Sequence, residues 1–288
     1  MFVFTDGHEI AEAAGSTYLV DSMWSYLKEK GVLYINVESL GVSGATRAVS
    51  YVSPMIRRFA TEIEKKYGIS AEHHSEIRIA DSSFTGIGVP YYWFTHFMSR
   101  RYVRLNNGAS HGWWYRSEAD TIEHVDFSLL KYETQYLLNF YSEIETRGYI
   151  DYRISEYLRD GLKVVRNFNG LEDELVKDKM RTLIKKMRET LYLTLETEKE
   201  TMMRNRSIYR EMLGEVSSVF MTISGKYDQD PYGAIWKDEV LPGLIAALNE
   251  YRSEKNLGLT HLMREINRVS DVLDFVSTCT LATKQSLN

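Results

Sequence analysis

The sequence predicts an α/β module followed by an all-α helical bundle, with the change of pattern near residue 127. Three observations carry that expectation. Before residue 127, short apolar and β-branched runs alternate with segments whose apolar residues recur every three or four positions. After "SEADTIEHVD" the recurrence is helical, and no strand-period segment of any length intervenes. The composition, 44% hydrophobic and 26% charged over 288 residues, suits a globular chain with one large core or two ordinary ones. The predicted domains are therefore 1–127 and 128–288.

In order along the chain, Phe2 to Thr5 reads as a buried strand that runs into Asp6-Gly7-His8-Glu9. A helix follows from Glu9 to Lys30, closed by Gly31 as the residue after its last turn. "VLYINVES" (Val32–Ser39) is predicted as a buried strand and "TRAVSYV" (Thr46–Val52) as a shorter one. Pro54 then opens an amphipathic helix to about Tyr67, a position where proline is tolerated. His73-His74, between Glu72 and Glu76, reads as a polar loop. "DSSFTGIGVPYYWF" gives a turn or short helix and then an apolar strand over Tyr91–Met98. In the second half, three stripes mark long helices: Val125, Leu129, Tyr132, Tyr136, Phe140 and Ile144; Val176, Met180, Leu183, Met187, Leu191 and Leu195; Leu262, Ile266, Val269, Leu273 and Val276. "SGKYDQDPYG" (Ser224–Gly233) is the one conspicuous loop among them.

Bulk chemistry narrows the function. A net charge of −5 lacks the clustered basic excess of a nucleic-acid-binding protein. No apolar run reaches the ~18 residues of a membrane span, so no membrane partner is expected. The single cysteine, Cys279, forms no internal disulfide and fits a reducing, cytoplasmic setting, with core filling as its role.

Local motifs are ambiguous when taken singly. His8-Glu9 with Glu12 is a metal-ligand pattern that lacks the second histidine of HExxH, and a solvated helix start explains it equally well. His111, His124 and His261 are isolated in the sequence. Arg100, Arg101 and Arg104 form a small basic patch, suited to an anion or to a solvated turn. Trp113, Trp114 and Tyr115, between Gly112 and Arg116, suit either a cleft wall or core packing.

Taken in order, these segments resemble the zinc-dependent glutamate carboxypeptidase and transferrin receptor family over nearly the whole chain. "TDGHEIAEAAGST" is similar to that family's paired glutamates and Gly-Ser turn, and "GVLYINVES" to its carboxylate-bearing strand. "AVSYVSPMIRRFATEI" resembles the Pro-containing helix, "DSSFTGIGVP" the substrate-side loop, and "WWYRSEADTIEHVD" the final Tyr-His ligand loop. "RNRSIYREMLG" and "KYDQDPYGAIWKDEVLPGLIAAL" resemble the transferrin receptor-type dimerisation domain. The resemblance implies a truncated phosphorylase/hydrolase-like zinc-peptidase module, residues 1–127, followed by a helical dimerisation domain, residues 128–288.

Carried over residue by residue, the resemblance puts the general base on His8 and zinc ligands on Glu9 and Glu38. It puts the oxyanion-supporting tyrosine on Tyr115 and substrate contacts on Ser82, Ser83, Phe84 and Arg116. A shift of one residue would bring Glu12 into play. Arg116 falls where the family has its last histidine ligand; arginine has no lone pair for a metal, and its charge suits a contact with Glu9 or Glu38. The family's remaining ligands come from strands before the acidic pair, and those strands are expected to be missing here. Glu9 and Glu38 alone fall below the three protein ligands of a catalytic zinc site. The expectation is a homologue that is catalytically incompetent alone, without a cofactor. It would be a homodimer through its helical half, where "NRSIYREMLGEVSSVFM" and "PYGAIWKDEVLPGLIAAL" carry apolar stripes too wide for one seam. The alternative is one part of a zinc exopeptidase whose missing strands come from a second polypeptide.

Overall fold

The computed structural model describes residues 1–5, 13–75, 83–166, 168, 171, 173–225, 227–228 and 240–285. It shows a mixed α/β region with a small four-stranded sheet, followed by a predominantly helical region. Contacts divide the chain into two compact units that interleave in sequence, 33–76 with 91–151 and 1–32 with 77–90 and 152–288.

The sheet lies in the first of these units. Strands β1 (Tyr34–Asn36), β2 (Arg47–Val52), β3 (Glu72–His74) and β4 (Tyr91–Phe97) take the order β1-β4-β2-β3. β1 runs parallel to β4, β2 antiparallel to β4, and β3 parallel to β2. β4 is buried along its whole length, as an apolar central strand must be. β1 covers only three residues of the predicted Val32–Ser39 run, because Val37 turns outward at 65% exposure and Ser39 adopts a left-handed φ of 54°. The Glu72–His74 segment is a strand and not the predicted loop: its polar side chains are satisfied laterally, Glu72 by Arg47 at 2.8 Å and His73 by Glu64 at 2.5 Å.

One face of the sheet packs under α3 (Arg57–Lys66) and α5 (Phe127–Arg147). Pro54 opens the helical segment as expected, through a 3-10 turn at Pro54–Ile56 that leads into α3. The Tyr92 ring lies flat on Phe140, with centroids 4.2 Å apart, and Phe94 meets Tyr136 at 4.5 Å. Buried Glu64 accepts from Ser50 Oγ at 2.8 Å and from the Tyr92 hydroxyl at 3.0 Å. In α5 the core side differs from the predicted stripe at one turn. Tyr132 is 48% exposed and Glu133 is fully buried. Glu133 is stable there because Gly41 N–H donates to it at 2.6 Å, His96 N–H at 2.8 Å, and His96 Nδ1 lies at 2.9 Å. Asp126 caps the first turn of α5, and Gly148 closes it at φ 66°. The segment "RRYVRL" forms helix α4 (Arg100–Leu105), capped by the Ser99 hydroxyl.

The second unit holds α1 (Ala14–Ser22), α2 (Trp24–Lys30), α6 (Ile154–Arg166), α7 (Glu174–Arg204), α8 (Arg206–Phe220), α9 (Pro242–Ser253) and α10 (Lys255–Gln285). Residues 1–5 form no strand, and Phe2 and Phe4 are 97% and 99% exposed, contrary to the buried strand predicted there. The one predicted helix over Glu9–Lys30 is interrupted at Met23, and its first residues lie outside those described. Gly31 is extended at φ −61°, not left-handed; its need for glycine is close approach, since a Cβ would stand 2.5 Å from the Leu27 carbonyl oxygen.

Helices α7 and α10 run parallel, joined by Lys186–Asp274, Thr190–Ser277 and Glu196–Lys284 at 2.7, 2.9 and 3.1 Å. Val176, Met180, Leu183 and Met187 face the core as predicted, but Leu195 is exposed. The buried row continues instead through Thr190, Thr194, Thr197 and Thr201. Each of these hydroxyls donates to the carbonyl four residues back, which lets a polar residue take an apolar position. The wide stripes singled out for a dimer face are largely met inside this unit: Tyr209, Met212, Leu213, Val216, Phe220 and Leu244 are all buried. Ile235 and Trp236 lie outside the described residues. Among the described residues, no helix is long and apolar enough to cross a membrane.

Candidate functional site

Three of the residues that the sequence singled out, Glu38, Tyr115 and Arg116, come together where β1 ends. In β1 the residues alternate faces, so Asn36 and Glu38, two apart, project to the same side as the chain leaves the strand. Asn36 is buried and divides its amide between two acceptors, Glu38 Oε2 and the Tyr91 hydroxyl, each at 3.1 Å. The backbone of Glu38 is fixed as well, since Trp93 Nε1 donates to its carbonyl at 3.1 Å. Thr95 Oγ1 donates to the Ser39 carbonyl at 2.8 Å. The turn is thus clamped to the central strand at successive residues.

The second wall is the loop after α4. Met98 N–H donates to the Ser110 carbonyl at 2.8 Å and pins the loop to the end of β4. Gly112 has φ 98°, and a Cβ there would stand 2.4 Å from the Trp114 ring, so only glycine lets that indole fold across the chain. The Trp114 ring stacks on His124 at 4.0 Å, while Trp113 stays 62% exposed. This arrangement brings the Tyr115 hydroxyl to Glu38 Oε1, to which it donates at 3.3 Å. Burial and the neighbouring Glu38 charge push the Tyr115 phenol up to about 12, so it remains a donor across the physiological range.

Arg116 has a left-handed backbone, φ 62°, which turns its guanidinium back over the Tyr115 ring at 4.8 Å. The expected contact of Arg116 is with Glu9 or Glu38: Glu9 lies outside the described residues, and between Arg116 and Glu38 stands Tyr115, ring to guanidinium on one side and hydroxyl to carboxylate on the other. Glu38 therefore has Asn36 and Tyr115 as its donors.

Behind Tyr115 sits His111, only 9% exposed, with its ring 4.5 Å from Tyr115, 4.7 Å from Phe97 and 6.3 Å from Trp93. Its Nδ1 lies 3.1 Å from Ser110 Oγ, and its buried Nε2 has no partner. Burial lowers the imidazole below its ordinary value, and the Glu38 charge offsets part of that. Neither His111 nor Asn36 was assigned a role from sequence. The spacing of Asn36 to Glu38 along a strand was a usable signal, whereas His111 gave none.

The other expected site residues are either outside the described residues or part of the second unit. Ser83 lies in the helical unit, where its hydroxyl meets Ser16 Oγ at 2.9 Å and Thr17 Oγ1 at 3.2 Å, and Phe84 is buried there. His8, Glu9, Glu12 and Ser82 lie outside the described residues. His261 pairs with Glu250 at 2.6 Å, and Arg100 with Glu72 at 3.0 Å. Among the described residues, no group of three or more His, Cys, Asp or Glu side chains is placed to hold a metal ion. Among the described residues Glu38 is the one expected ligand, and a single carboxylate does not make the donor set of a catalytic zinc. No family model and no curated protein matches this sequence.

Proposed function

We propose that this chain is a non-catalytic homologue of the zinc-dependent glutamate carboxypeptidase and transferrin receptor family, acting as a cytoplasmic, homodimeric structural or interaction protein. One observation supports the reading above the others. Glu38, which the resemblance makes a ligand position, has Asn36 and Tyr115 on its two oxygens, and Arg116, over the Tyr115 ring, falls where the resemblance puts the last ligand. A guanidinium there offers no lone pair and would repel a dication. Tyr115 and Asn36 then serve as hydrogen-bond partners of a carboxylate that has no metal to bind. For the dimer, the exposed apolar residues Tyr192, Leu195 and Met203 lie on one side of α7 and offer a face beyond the buried stripes.

A second reading keeps catalysis: a part of a zinc exopeptidase completed by strands of another polypeptide. Phe2 and Phe4 favour it, as exposed aromatic side chains that a second polypeptide would cover.

Elemental analysis after purification without chelators separates the two. The first reading expects no stoichiometric zinc and no hydrolysis of acidic dipeptides with zinc supplied. About one zinc per chain, lost in the Glu38→Ala variant, overturns it and supports the second. Light scattering at micromolar concentration tests the dimer, and a mass that stays at that of one chain removes it.

A further inference from the structure

We propose that His111 is an acid-operated latch that holds the loop of residues 109–116 against β4 while its ring is neutral and releases that loop, with Tyr115, when the ring gains a proton. The pocket is built for an uncharged ring. Phe97 and Trp93 approach from β4 and Tyr115 from the loop itself, and among the described residues Ser110 Oγ is the one hydrogen-bond partner, at Nδ1. Nε2 is buried without an acceptor. Protonation fixes an N–H on both ring nitrogens and places a positive charge among aromatic side chains. A charged donor left unpaired in such a place is costly, and moving to water relieves it.

The groups that face the ring decide the sign. From β4 there is nothing titratable, since Phe97 and Trp93 bear no charge. On the loop, Tyr115 stays protonated, and Arg116 beyond it is already cationic and cannot stabilise an imidazolium. From the turn after β1, the Glu38 charge opposes release, but burial is the larger influence and favours the neutral ring. His111 therefore contributes stability that is present above the ordinary imidazole value of 6.5 and is lost as pH falls through the lower, folded-state value.

The consequence reaches the site. The loop is fastened to β4 by Ser110 and to Glu38 by the Tyr115 hydroxyl. Once the imidazole leaves its pocket, the Tyr115 ring loses the surface on which it rests, and Glu38 Oε1 loses its donor. Acid thus frees one oxygen of a carboxylate whose other oxygen stays with Asn36.

Tryptophan emission and its quenching by acrylamide, followed on the full chain from about pH 8 down to the upper edge of the carboxylate range, test the latch. A red shift and increased quenching along a single-proton curve are expected, with far-UV circular dichroism unchanged. His111→Phe keeps an aromatic ring in the pocket and is expected to lose the step; His111→Leu is the second non-titrating variant, should the first fold poorly. Glu38→Gln is expected to retain the step and move its midpoint to higher pH, toward easier release. A wild-type protein without the step overturns the proposal. So does a step that survives in both His111 variants, or one that disappears in Glu38→Gln alone.

Discussion

Tyr115 donates its hydroxyl to Glu38 across 3.3 Å while its ring carries the Arg116 guanidinium 4.8 Å from its centroid. One side chain thus mediates between an acid and a base that do not pair directly. The hydroxyl and the ring face are separable, and substitutions can address each alone.

Tyr115→Phe removes the donor and leaves the stacking surface. The expected loss is about 0.5–1.5 kcal/mol of unfolding free energy, the ordinary net worth of one hydrogen bond. Arg116→Ala removes the cation and leaves the hydroxyl, with an expected cost of at least about 0.5–1 kcal/mol, the worth of the cation–π contact. Because the two act through different parts of the ring, the double variant is expected to be additive within ~0.5 kcal/mol in urea unfolding. A larger coupling would mean that Arg116 strengthens the Glu38 bond through the ring.

The pH dependence of the helical unit is expected to centre on Glu198. It lies in α7, 3% exposed, and accepts from Ser155 N–H at 3.1 Å, Ser155 Oγ at 2.8 Å and the Tyr209 hydroxyl at 3.0 Å, with Arg153 at 3.5 Å. Burial raises its carboxyl above the ordinary value in spite of those donors. A raised acid binds its proton more tightly folded than unfolded, so stability falls as pH rises from the ordinary carboxyl value through the folded one. Glu198→Gln keeps an acceptor and removes the charge, and is expected to flatten that slope in unfolding titrations. A slope unchanged by the substitution would assign it to other carboxylates.

Much of this architecture was legible because it depends on local periodicity. The strands at β2 and β4, the Pro54 helix start and the long helices follow from alternation, from proline's tolerance of a first turn, and from recurring apolar residues. What escaped depends on partners remote in sequence. Glu133 reads as a surface residue until Gly41 and His96 supply its donors. Glu72–His74 reads as a loop until Arg47 and Glu64 satisfy its side chains. Thr190 to Thr201 read as the polar side of a helix until their hydroxyls turn back on their own backbone. At the site, Glu38, Tyr115 and Arg116 were named from sequence, but His111 required the fold, because its meaning lies in what surrounds an otherwise unmarked imidazole.

The helical unit also contains a backbone approach whose failure mode is distinct from that of an ordinary loop glycine. Gly88, which closes the 3-10 turn Thr85–Ile87, has φ 77°, and a Cβ there would lie 2.6 Å from Gly214 Cα and 2.8 Å from Gly214 N in α8. Neither contacted atom belongs to a movable side chain, so Gly88→Ala must displace the turn from the helix or strain both. That would also disturb the 2.7 Å bond from Ser217 Oγ to the Thr85 carbonyl. Gly68, in the other unit, shares the left-handed backbone at φ 70° but has nothing within 4 Å of a built Cβ. Gly68→Ala therefore carries only the conformational cost, about 1–2 kcal/mol. Gly88→Ala carries that cost plus the steric one and is expected to exceed it by at least ~1 kcal/mol, as overpacking does. Parallel thermal melts compare the two variants, and equal losses would mean that the turn gives way freely and the close approach to α8 contributes nothing to stability.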